Sequence, residues 1–195
     1  MKRLLSRTLL PALVLGLAMT TGCTGLWPEA PESPRKIDFG PAKDYPSEPA
    51  FGAQVRLARV GAPSWLQEEE IHYRRMGNDP HLLESYGRHV WLAPPGELLA
   101  ERVDDMIDAR SVDHGGETAR LELRLRRFEQ VIDEDEDAYV IASFKAVLEH
   151  GGERRSRVFS ERLETSADIR GARTGLPELA EELVRELGDW LAEET

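Results

Sequence analysis

The chain has one cysteine, Cys23, in 195 residues. A lone cysteine excludes an intramolecular disulfide, so whatever folds must be held by an ordinary core. Long hydrophobic runs are also missing. A bilayer-spanning helix needs roughly 20 apolar residues, and the uncharged run from Leu9 to Ala18 stops after ten. Cations are scarce, 25 Lys and Arg against 36 Asp and Glu, for a net charge of −11. A balance this acidic should repel nucleic acid and anionic lipid headgroups. The five histidines are His72, His81, His89, His114 and His150, and none is paired at the spacing of a metal motif. The acidic run Asp133 to Asp137 lacks the glycine and distal glutamate of a calcium loop. No nucleophile elbow, phosphate loop or dinucleotide fingerprint occurs. Neither a catalytic set, a metal nor a dissociable cofactor is expected, and the chain does not read as an enzyme.

What is present begins at the N-terminus. Lys2, Arg3 and Arg7 precede the short apolar run, and small residues follow it. That order describes a signal peptide over residues 1–22. Thr20-Thr21-Gly22-Cys23 resembles the lipobox of bacterial lipoproteins, with Thr20 standing where Leu is usual. The resemblance implies cleavage before Cys23 and a covalent diacylglycerol and N-acyl chain on that residue. Loss of Lys2, Arg3 and Arg7 would take the charge from −11 to −14. Acyl chains therefore explain membrane attachment better than a basic patch does; stable anchoring needs more than one chain, at about 0.8 kcal/mol per buried methylene. Pro28, Pro31, Pro34, Pro41, Pro46 and Pro49 make residues 23–50 read as an extended tether. Within it, residues 35–39 are a candidate short strand. Residues 51–195 then form one domain of ordinary size.

Inside that domain the period changes several times. Ala53, Val55 and Leu57 alternate with polar neighbours, which predicts a half-buried strand. Residues 70–75 predict a second, and residues 81–91 are ambiguous between a helical turn and a strand. Pro94-Pro95 opens a helix over 96–109, with Leu99, Val103, Met106 and Ile107 on one face and Glu101, Asp104, Asp105 and Asp108 on the other. From Thr118 the period is two, but Phe128 falls on the wrong parity after Leu121, Leu123 and Leu125, which a β-bulge at Arg126-Arg127 would correct. Residues 133–137 and Gly151-Gly152 are hairpin turns, so three antiparallel strands follow one another. A last amphipathic helix opens near Pro177 and carries Leu179, Leu183, Leu187 and Trp190. The expected fold is α+β: a two-layer sandwich with a mixed or antiparallel sheet and two amphipathic helices on one face.

Aromatics concentrate in the strand-rich part, at Trp65, Tyr73, Tyr86 and Trp91. Core packing accounts for most of them, and an exposed subset would suit a partner surface. The same stretches carry a family resemblance. Ala62 to Leu66 (APSWL), Ile71 to Arg74 (IHYR), Tyr86 to Trp91 (YGRHVW) with Pro94-Pro95, and Leu125 to Val131 (LRRFEQV) resemble, in order and spacing, segments of the ABC-type transport auxiliary lipoproteins of the PqiC type. The resemblance spans about residues 36–192. It implies a lipid-anchored protein on the periplasmic face of the outer membrane. It also implies partners, an MCE-domain protein and ABC transporter subunits, in a system moving lipid between membranes. Trp65, Tyr73, Arg74, Tyr86, Arg88 and Trp91 form the candidate partner surface, and Cys23 the lipid attachment site. An assembly lipoprotein of other outer-membrane machinery, for lipopolysaccharide or protein, is the alternative reading. Homo-oligomer formation stays open.

Overall fold

The computed structural model describes residues 32–41, 43–111 and 117–195. Cys23, Thr20, Trp27 and His114 lie outside the described residues. Residues 33–195 form one compact unit. Its elements are β1 (Arg35–Ile37), β2 (Gln54–Gly61), β3 (Glu70–Arg75), β4 (Glu84–Trp91), α1 (Pro95–Arg110), β5 (Thr118–Ile132), β6 (Ala138–His150), β7 (Glu153–Thr165) and α2 (Ile169–Glu194). The fold is α+β, with a mixed seven-stranded sheet and two helices.

The sheet is built on β5. One edge of β5 pairs antiparallel with β6 along its whole length, and β6 pairs with β7. The other edge is shared: β2 lies parallel to Thr118–Arg124, and β3 parallel to Gln130–Ile132. β4 pairs antiparallel with β3, and β1 closes that end parallel to β4. The consecutive strands are antiparallel because their turns are short. Gly151 and Gly152, at φ +60° and +76°, form a two-residue turn that only left-handed backbone can make, where glycine carries no steric penalty. In the 133–137 loop, the Asp133 carboxylate accepts from the N–H of Asp135 and of Asp137, both at 3.0 Å. These acidic residues thus shape a turn.

The anomaly in hydrophobic parity is resolved by a bulge. Leu125 pairs with Phe144 and Arg127 with Ser143, leaving Arg126 as the extra residue. After it, Phe128, Gln130 and Ile132 return to the face that Leu121, Leu123 and Leu125 occupy. The helices cover this face. Val103, Met106, Leu176, Leu183 and Leu187 join Leu121, Leu125, Phe144 and Phe159 in one buried cluster. Where the helices meet, a Cβ added to Gly188 would lie 2.8 Å from Met106 Sδ, so a larger residue there would have to displace the Met106 and Arg110 side chains.

Three sequence expectations change. The 81–91 stretch makes no helical turn at Leu82, Leu83 and Tyr86; it is strand β4 from Glu84. The last helix starts at Ile169, eight residues before Pro177, because Asp168 caps it by accepting the Gly171 N–H at 2.9 Å. Pro177 therefore sits inside the helix. Residues 33–50, read as part of the tether, pack within the compact unit. β1 pairs with β4, and Phe39 is buried with ring centroids 5.4 Å from Trp91 and 5.5 Å from Phe128. An extended, proline-rich segment has few internal hydrogen bonds, so its backbone is free to join an existing sheet edge.

Candidate functional site

Three stretches distant in sequence meet at one corner of the sheet. β3 brings Tyr73 beside Gln130 and Arg74 beside Val131. β4 brings Tyr86 against Tyr73, with ring centroids 4.5 Å apart and planes tilted by 36°. The Tyr86 hydroxyl donates to Gln130 Oε1 at 2.5 Å. Gln130 Nε2 donates in turn to the Ser166 carbonyl at 2.8 Å and to Thr165 Oγ1 at 3.2 Å. Gln130 is fully buried, 0% exposed, and its amide is satisfied on both sides. The start of α2 packs directly on it: a Cβ at Gly171 would meet Gln130 Nε2 at 3.0 Å and the Ser166 carbonyl oxygen at 2.0 Å.

This corner is therefore a rigid platform. Burial, with smaller contributions from Tyr73 and Asp168, pushes the Tyr86 phenol up to about 12. A phenol so held stays neutral through the physiological range and acts as a hydrogen-bond donor. The Arg75 guanidinium lies 5.6 Å from the centre of the Tyr73 ring. A half-buried tyrosine pair beside a cation gives an apolar body with polar tips, which suits binding another surface.

The other predicted residues divide between core and support. Trp91 is 0% exposed and belongs to the Phe39–Trp91–Phe128 cluster, so it is removed from the partner surface. Its place at the end of β4, beside Ile37 of β1 and packed on Phe39 and Phe128, is what buries it. Trp65 is half-buried and packs edge-on to His72, whose Nε2 donates to the Trp65 carbonyl at 2.8 Å. Arg74 donates to the Pro80 carbonyl at 2.8 Å and forms an ion pair at 3.4 Å with the buried Glu129, which Arg127 also holds. Arg88 is exposed on β4. Tyr73 and Tyr86 are thus brought together, while Trp65, Arg74 and Arg88 lie on the same pair of strands and their flanks. Cys23 lies outside the described residues.

A second polar centre was not read from the sequence. Arg102 on α1 and Glu181 on α2 are 5% and 2% exposed and form an ion pair at 2.9 Å. Tyr45 donates to the other Glu181 oxygen at 2.5 Å, and Arg102 also donates to the Gly40 carbonyl. Burial, followed by the bond to Glu181, raises the Tyr45 phenol far above its ordinary value. This centre ties the segment before β2 to both helices. Among the described residues no group of three or more His, Cys, Asp or Glu could hold a metal ion, and no helix is long and apolar enough to cross a membrane.

No family model matches the chain, and no curated protein matches it. Solved structures do resemble it. A Xanthomonas campestris protein described under the family model DUF330 superposes with a TM-score of 0.66 at 18% identity, covering 78% of this chain and 92% of that one. A second structure, of an uncharacterized protein, gives a TM-score of 0.59 at 15% identity, covering 84% of this chain and all of the other, 100%. The chain is thus similar in fold, over most of its described length, to a DUF330 protein.

Proposed function

We propose that this chain is a lipoprotein, acylated on Cys23, whose α+β domain is a non-enzymatic accessory subunit of an ABC/MCE-type intermembrane lipid transport system. It would be held on the periplasmic face of the outer membrane. One observation carries the reading. The segments that resemble the auxiliary lipoproteins, Ile71–Arg74, Tyr86–Trp91 and Leu125–Val131, lie on neighbouring strands, and Tyr73, Tyr86 and Gln130 touch one another across them. Tyr86 and Gln130 are 44 residues apart in the chain, and separate segments that keep their order and also build one platform form a coherent binding unit. The fold likeness to a DUF330 protein is consistent with the resemblance, although fold does not fix function. In this reading the domain binds and does not catalyse. Among its buried polar groups, Gln130 bonds to Tyr86, Thr165 and the Ser166 carbonyl, and Arg102 to Glu181 and the Gly40 carbonyl.

Affinity purification from detergent-solubilised envelopes tests it, comparing wild type with Cys23→Ala. The wild type should recover an MCE-domain protein and transporter subunits, and Cys23→Ala should leave the membrane fraction. Recovery of neither class of partner from cells that make the protein normally would sink the transport role. Acyl labelling unchanged by Cys23→Ala would sink the anchor.

A further inference from the structure

The sheet has a second face, which neither helix covers, and its charge is opposite to that of the chain as a whole. Side chains on this face come from alternate positions, and the strand registers place them in rows. Arg56 lies beside Arg120; in the next row but one, Arg124 lies directly opposite Lys145, with Val158 beyond. Arg162 lies further along, over the Tyr139 ring. Most carboxylates of this face are engaged: Glu149 pairs with Arg154 at 3.6 Å, while Glu164, at the far end beside Arg162, has no ion pair among the described residues. Glu122 is shared by Arg59 and Arg120, and Glu129 by Arg74 and Arg127. Arg56, Arg124, Lys145 and Arg162 have no carboxylate at ion-pair distance among the described residues. On the helix side of β7 the arrangement differs: Arg155 pairs with Glu194, and Arg157 with Glu186 at 2.8 Å. Glu101, Asp104 and Asp108 of α1 and Glu178, Glu182 and Glu193 of α2 place exposed acids on the far side of the molecule, and a further acidic run, residues 133–137, lies in the turn at the end of the sheet. A net charge of −11 conceals this division.

Like charges directly opposite each other in a sheet are destabilising. The fold thus carries one such pair in an antiparallel ladder, Arg124/Lys145, and sets Arg56 beside Arg120 in the parallel one. We propose that this open sheet face docks on an anionic lipid surface. The cations are spread singly over a broad sheet face, which matches an array of headgroups better than one bound anion. Half-exposed Ile141 and Val147 and exposed Val158 lie among them. The acidic helices point away, so the charge distribution orients the domain with its basic face toward a negative plane. The ten residues from Cys23 to Glu32 would, if acylated, hold the domain within about 33 Å of the bilayer. That last point rests on the proposed anchor; the docking surface does not. The sequence expectation that this chain repels anionic headgroups follows from total charge, and it fails where the charge is segregated.

The test uses the unacylated chain from residue 24 onward, which contains the whole compact unit. Co-sedimentation is measured with vesicles of phosphatidylcholine alone and of phosphatidylcholine with phosphatidylglycerol. Binding should require phosphatidylglycerol and weaken with salt. The double variant Arg56→Glu/Lys145→Glu turns both like-charge pairs into opposite pairs. It should bind about tenfold or more weakly, while its melting temperature stays level or rises. The control Arg173→Glu/Arg185→Glu makes the same net change on α2 and should bind within about twofold of wild type. Equal binding to both vesicle types, or equal loss in the control, overturns the proposal. So does salt-sensitive self-association that the double variant abolishes without any vesicle binding, which would assign the face to a second copy. None of these outcomes depends on Cys23 or on a transporter.

Discussion

The Tyr86 hydroxyl donates to Gln130 Oε1 at 2.5 Å, joining β4 to the buried end of β5 beneath the start of α2. Tyr86→Phe removes the donor but leaves the acceptor buried, which costs about 1–3 kcal/mol. Gln130→Ala removes the bonds to Tyr86, Thr165 and Ser166 together and should cost more. Urea unfolding should order the stabilities as wild type, Tyr86→Phe, Gln130→Ala. Equal stability of all three would show the network to be incidental.

Burial of the same phenol gives a pH dependence. The Tyr86 phenol is raised from 10.0 to about 12 in the folded state, so the fold favours the protonated form. Its contribution is fully present below pH 10 and is lost as pH rises through about 12. Wild-type stability should therefore fall between pH 10 and 12 more steeply than that of Tyr86→Phe. Ultraviolet difference absorbance should show two tyrosines, Tyr45 and Tyr86, ionising late in wild type and only one in the variant.

The ion pair between Arg102 and Glu181 makes a contrasting case, because both partners are buried. Glu181→Ala strands Arg102 and takes the acceptor from Tyr45, so it should destabilise by about 3–5 kcal/mol. Replacing both charges, as Arg102→Met/Glu181→Leu, should recover most of that loss. A double-mutant cycle from denaturant curves measures the coupling. If the double variant is no better than Glu181→Ala, the pair is not what the burial requires.

Much of this fold was legible because local chemistry dictates it. Gly151-Gly152 can serve one kind of turn, and the parity slip between Leu125 and Phe128 demanded an extra residue. The α1 face was readable for the same reason. The corner at Gln130 was half legible. Once the bulge is placed, Gln130 falls at a core position between Phe128 and Ile132, and a polar residue there signals an internal network. Its partners, Tyr86 and Ser166, come through non-local pairing that no local pattern encodes. The parallel placement of β2 and β3 along one edge of β5 is non-local in the same way. The helix start failed for a local reason: Pro177 resembles a first-turn proline, whereas Asp168 supplies the actual cap. Charge segregation escaped because total charge carries no information about faces.

Asp168 gives that correction a test. Its carboxylate accepts the Gly171 N–H and the Ser166 hydroxyl, which lowers its pKa below the ordinary 3.8. Asp168→Ala should cost about 0.5–2 kcal/mol, with protection of the amides at 171–175 falling in hydrogen exchange. The contribution is present above pH 3.8 and lost as pH falls through the folded value. A helix beginning near Pro177 would show no protection there in either protein.

The bulge makes the sharpest demand on the sequence, because it separates a residue's presence from its identity. Arg126 is exposed and has no register partner on β6. Arg126→Ala keeps the extra residue and should change stability by no more than about 0.5 kcal/mol. Deleting Arg126 makes Leu125 and Arg127 successive, opposite the successive residues Phe144 and Ser143, so the ladder between β5 and β6 becomes continuous. Phe128, Gln130 and Ile132 then keep the core face and Arg127, Glu129 and Val131 the other, because the bulge residue is the one that breaks the alternation. The deletion variant should therefore keep a cooperative thermal transition, and Arg126→Ala should melt like wild type. Loss of cooperative melting on deletion would mean that the local bend of β5, beyond its register, is what the fold requires.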